Sequence, residues 1–112
     1  MNFGQALEAV KDGKLATFQG WKKQSQFIFM RPADKLHVSF VANVIKSLPQ
    51  SVKDYYRQDC VDGDGAPLDL EKDDVVKFTA YLCMKSTDGT IINGWTPSQS
   101  EMLLEDWELF EL

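Results

Sequence analysis

Residues 76–85 alternate more strictly than any other stretch of the chain: Val76, Phe78, Ala80, Leu82 and Met84 interleave with Lys77, Thr79, Tyr81, Cys83 and Lys85. A period of two commits this segment to a strand with two distinct faces, and an exposed strand needs a partner. Asp88-Gly89 supplies a turn and residues 90–95 a second strand, so a hairpin is the expected seed of a sheet. Further strands are read at residues 15–18, at the apolar run 27–30, at Leu36, Val38 and Phe40 after a turn at Asp34-Lys35, and at residues 106–110.

Helix signals are fewer and sharper. Asn2, with Gln5 three residues later and Phe3, Ala6, Leu7 and Val10 at helical spacing, predicts a capped helix that stops at Asp12-Gly13. Pro49 suits a first helical position, with Val52, Tyr55 and Tyr56 on the apolar side. Ser98 and Glu101 form a capping box ahead of Met102 and Leu103. Residues 59–74, rich in Asp, Gly and Pro, carry no period and read as a surface loop. The expected fold is α+β: a small, mainly antiparallel sheet with two or three short helices, in a single domain over residues 1–112.

A chain of 112 residues, 44% of them apolar, buries roughly two-thirds of its unfolded surface, so a core forms without staples. Cys60 and Cys83 do not make a disulfide framework and are expected as reduced thiols, Cys83 within the core. No apolar run approaches the ~20 residues of a membrane span, and no charged-then-apolar leader opens the chain. A soluble, cytoplasmic protein is expected.

The net charge of -5 argues against long nucleic acid, which requires an extended basic footprint. The charge is unevenly spread: residues 1–57 carry nine Lys/Arg against four Asp/Glu, and residues 58–112 carry three against thirteen. Opposed surfaces of this kind can meet within one subunit or between copies.

Catalytic groups are sparse. The single histidine, His37, sits in a strand pattern beside Ser39 with no orienting carboxylate in view, and reads as an ordinary strand residue. No His, Cys or carboxylate spacing fits a metal centre. Asp62-Gly63-Asp64-Gly65 opens like a calcium loop, but Pro67 stands where that loop needs Gly and Asp73 where it needs Glu. No phosphate-cradling glycine fingerprint is present. Aromatic rings are the alternative route to a nucleotide: Phe3, Trp21, Tyr55, Tyr56, Trp95 and Trp107 offer flat faces, and the helix starts at Asn2 and Ser98 offer backbone N–H groups. Trp21 and Trp95 stand out, because each follows a glycine at the expected edge of a strand, where a large ring is hard to bury fully.

The opening Met1-Asn2-Phe3-Gly4-Gln5-Ala6-Leu7, the pair Gly20-Trp21, Phe29-Met30-Arg31-Pro32-Ala33-Asp34, Asn93-Gly94-Trp95-Thr96-Pro97-Ser98-Gln99 and Met102-Leu103-Leu104-Glu105-Asp106-Trp107 together resemble the phage Thoeris anti-defence type 2 family. The resemblance runs through almost the whole chain in order. It implies a non-enzymatic sponge that binds the cyclic ADP-ribose isomer made by bacterial TIR-domain proteins and holds it, in the cytoplasm of the infected host. It also implies a homotetramer with pockets between subunits, and in some members a separate site for cyclic dinucleotides.

A sponge must bind tightly but need not stabilise a transition state, so it calls for stacking faces and polar contacts and for no acid-base pair or cofactor. On that basis Phe3 and Trp21 are expected to stack, Asn2 and Gln5 to make polar contacts, and Asn93, Trp95, Ser98 and Gln99 to line the same pocket. Asp106 is expected to accept a ribose hydroxyl, and Tyr56 with Arg57 to serve a second nucleotide. Two other functions compete: a cyclic nucleotide hydrolase using Asp62, Asp64 or Asp73 around magnesium, and a direct protein-protein inhibitor presenting the acidic C-terminal half.

Overall fold

Asn2 starts the first helix as expected, its side chain accepting from the Gln5 N–H while the Gln5 side chain accepts from the Asn2 N–H. The computed structural model describes residues 1–58 and 74–112. In chain order the elements are α1 (Phe3–Lys11), β1 (Ala16–Phe18), α2 (Gln19–Lys22), β2 (Phe27–Arg31), β3 (Asp34–His37), α3 (Val38–Asn43), α4 (Gln50–Gln58), β4 (Val75–Phe78), β5 (Tyr81–Lys85), β6 (Ile91–Asn93), α5 (Gln99–Met102) and β7 (Trp107–Leu109). The architecture is α+β, and every strand pairing among the described residues is antiparallel.

The described residues pack as two units. The first, Met1–Pro32 with Ala80–Leu112, holds a five-stranded sheet in the order β6-β5-β2-β1-β7. Ala6 and Val10 of α1 lie one turn apart on the same side of the helix and are fully buried with Ala16, Ile28 and Trp107. That core is built on one sheet face. Strand alternation sends Phe29 and Cys83 to the opposite face, where Cys83 is buried. The second unit, Ala33–Thr79, holds the two-stranded ribbon β3–β4 with α3 and α4. Its core is Val38, Val41 and Val76, with Leu36, Tyr56 and Phe78 packed against them.

Three expectations are corrected. Asp34-Lys35 is not a turn: both residues belong to β3. The alternation expected to continue through Val38 and Phe40 stops at His37, whose Nδ1 accepts the Ser39 N–H at 3.1 Å and caps α3. From there Val38, Val41 and Ala42 are buried at the i, i+3, i+4 spacing of a helix. The long strand expected from Val76 to Met84 is two strands, β4 and β5, which break at Thr79-Ala80 and enter different sheets. Helices α2 and α3 are additional to those read from periodicity. Cys60 and the acidic residues Asp62, Asp64 and Asp73 lie outside the described residues.

Candidate functional site

Trp107 opens the last strand of the sheet and is 1% exposed. Its indole N–H donates to the Glu101 carbonyl at 2.9 Å, which ties the end of α5 to β7. The Met1 nitrogen donates to the Trp107 carbonyl at 2.7 Å, which brings the start of α1 to the same place. Both expected capping helices are therefore anchored on one buried residue.

Around this base the rings collect. Phe3 lies 5.3 Å from Trp107, Phe18 5.0 Å and Trp21 5.6 Å, the last two edge-on. Trp21 also packs on Phe18 at 4.3 Å and meets Trp95 edge-on at 5.8 Å. Edge-to-face contacts of this kind are favourable and orient the rings. Phe3, Trp21 and Trp95 remain only partly buried, each packed against the core with the remainder of its surface open. The two tryptophans are thus neither core nor free surface.

Two glycines stand at close points of the arrangement. Gly20 is part of α2, not a strand edge, and a Cβ there would stand 3.1 Å from the Phe18 ring. Gly94 has φ of 72°, a left-handed turn that folds the chain back so that the Trp95 N–H donates to the Leu82 carbonyl at 2.9 Å.

The polar residues are distributed less simply. Asn2 and Gln5 stand beside Phe3 at the start of α1, their oxygens committed to the capping box and their NH2 groups left as donors. Ser98 and Glu101 close a second capping box, with Gln99 as the first residue of α5. Asp106 is exposed next to Trp107. Asn93 does not join this group within one chain. It pairs with Cys83 across β5–β6, and its Oδ1 accepts from the Cys83 thiol at 3.5 Å. Ladder partners share a face, so Asn93 lies on the sheet face opposite the aromatic cluster. Tyr56 and Arg57 belong to the other unit: Tyr56 packs on its core and against Tyr55 at 5.2 Å, and Arg57 is exposed in the last turn of α4.

Sequence reasoning missed two participants. Phe18 was read only as a strand residue, yet its ring carries Trp21. Lys22, one residue on, pairs with Glu108 at 2.6 Å, and this contact raises the lysine pKa above its usual value. Neither has a local signal for the site, because the contacts that bring them to it, Phe18 with Trp107 and Lys22 with Glu108, join distant segments. Among the described residues no group of three or more His, Cys, Asp or Glu is placed to hold a metal ion, and no helix is long and apolar enough to cross a membrane.

The fold is thus a small α+β one with a half-open aromatic cluster seated beside two capped helices. Comparison with known proteins makes the assignment specific. The family model of the Thoeris anti-defense 2-like domain matches residues 1–110. A Thoeris anti-defense 2 protein of Bacillus phage SP01 is 26% identical over 109 residues, which is 97% of this chain and 93% of that protein. The chain belongs to the Thoeris anti-defense 2-like family, and with that membership comes a phage anti-defence role.

Proposed function

We propose that this protein binds and sequesters the cyclic ADP-ribose isomer made by bacterial TIR-domain proteins, without degrading it, in the cytoplasm of the infected host. The observation that carries this reading is the gathering of Phe3, Trp21 and Trp95, each partly open, around the buried Trp107. A purine stacks on such rings at roughly 1–3 kcal/mol per base. Beside them, the amide NH2 groups of Asn2 and Gln5 and the first backbone N–H groups of α1 provide donors for ribose and pyrophosphate. Ser98 and Gln99 extend that polar rim, and Asp106 accepts a ribose hydroxyl.

Asn93 reaches such a pocket only from a second copy, since its side chain lies on the other sheet face. That position supports pockets that lie between subunits, in the homotetramer that this reading includes. The edge strand β6 supports self-association as well: Ile91 is 47% and Ile92 41% exposed on an edge that carries no charge. Monomeric proteins usually protect such edges with lysine, proline or a bulge. Arg57, exposed beside Tyr56, is the candidate contact for a cyclic dinucleotide at a second site.

The test is titration of the protein with cyclic ADP-ribose isomers, followed by calorimetry and by quenching of tryptophan fluorescence. Saturable binding lost in Trp21→Ala supports the pocket; undiminished binding by that variant contradicts it.

A further inference from the structure

The β3–β4 ribbon, in the unit Ala33–Thr79, contains a pairing that the fold does not need. Its register sets Lys35 directly opposite Lys77, between the pairs Asp34 with Phe78 and Leu36 with Val76. Alternation turns Leu36, Val76 and Phe78 toward the core and both lysines to the other face. Like charges directly opposite across a ladder destabilise it. Among the described residues neither ammonium has an ion-pair partner: the pairs there are Lys11 with Glu8 and Lys22 with Glu108. Asp34 is the adjacent carboxylate, and its Oδ1 accepts from the Lys35 backbone N–H at 2.8 Å rather than from either ammonium. The two lysines border an open hollow of about 520 Å³, completed by Ala33, Asp34, Phe78 and Thr79.

We propose that Lys35 and Lys77 form an anion site that takes the phosphate group of a small organic phosphate. One oxyanion seated between the two ammonium groups converts a repulsive pair into two charge-assisted hydrogen bonds. Lysine ammoniums are compact point charges with three donors each, which suits the spread oxygens of phosphate; a flat carboxylate is better matched by the planar fork of arginine. Thr79, the residue after β4, lines the same hollow and carries a hydroxyl donor. Ala33, just before β3, lines the same hollow and leaves an apolar border for the organic part of the ligand. The site stands on the β3–β4 register and is independent of the aromatic cluster.

Inorganic phosphate is the probe. Amide resonances of β3 and β4 are followed during a phosphate titration of the whole protein, against sodium chloride at matched ionic strength. Saturable shifts at Lys35, Lys77 and Thr79 are expected with phosphate only. Lys35→Gln and Lys77→Gln should each weaken apparent affinity about tenfold or more, while Lys46→Gln, a charge removed from the same unit, leaves it unchanged. The Gln variants sit at exposed positions, and both should melt above wild type in phosphate-free buffer, because the repulsion is gone. Shifts reproduced by chloride, shifts that survive in the Gln variants, or Gln variants that melt below wild type overturn the proposal.

Discussion

Replacing Trp107 by Ala tests whether the aromatic cluster rests on one buried side chain. The indole is 1% exposed and touches the rings of Phe3, Phe18 and Trp21, so truncation leaves a large cavity and strips three aromatic contacts at once. Truncations of buried Phe or Trp cost roughly 3–5 kcal/mol, against a total of about 5–15 kcal/mol for a domain of ordinary stability. The indole N–H bond to the Glu101 carbonyl accounts for about 1 kcal/mol of that. Trp107→Phe keeps most of the packing and loses this bond, so its cost should be roughly 1–2 kcal/mol. Urea unfolding followed by far-ultraviolet circular dichroism reads both, with the m-value checked for constancy so that midpoints compare stability alone. A Trp107→Ala variant within about 1 kcal/mol of wild type, or a Trp107→Phe variant as damaged as the Ala one, would refute the anchoring role.

Other outcomes follow from the same geometry. Trp21→Ala and Asn93→Ala should each abolish ligand capture, yet coexpression of the two variants should restore it in about one quarter of pockets, because a pocket built from two copies regains both residues there; no recovery places Trp21 and Asn93 in the same chain's pocket or in none. Asn2→Ala removes an N-cap and should cost about 1 kcal/mol by urea midpoint, with amide exchange rising in α1 first. Asp88 in the β5–β6 turn accepts from the Ser86 hydroxyl and the Thr90 N–H, which pull its pKa down to about 2. Its folded value lies below the unfolded one, so its contribution is present above about pH 4 and is lost as pH falls through about 2. A carboxyl carbon titration of Asp88 with a midpoint near 4 would contradict this.

Legibility from sequence followed the range of the interactions. Both capping boxes, Asn2 with Gln5 and Ser98 with Glu101, join residues three apart and were readable as written. Trp107–Leu109 was readable from alternation. Where alternation misled, a local competitor or a distant partner decided. His37 spends its ring nitrogen on the Ser39 N–H, which ends β3 and starts a helix through residues that also fit a strand. Residues 76–84 keep one parity across Thr79-Ala80, and parity carries no information on which sheet a strand joins. Of the candidate residues, Phe3, Trp21 and Trp95 come together in one cluster, but only the tertiary fold reveals Trp107 beneath Phe3 and Trp21 and sends Asn93 to the opposite face. Phe18 looked like an ordinary strand residue because its place in the cluster shows only when β7 brings Trp107 against its ring.

The central claim is capture without conversion. Purified protein is mixed with each cyclic ADP-ribose isomer, freed of unbound ligand by filtration and denatured, and the released material is separated by liquid chromatography. The account predicts recovery of the intact cyclic nucleotide from wild type and none from Trp21→Ala. A converted product would make the protein an enzyme, and the absence of any retained nucleotide from wild type would contradict the sponge reading outright.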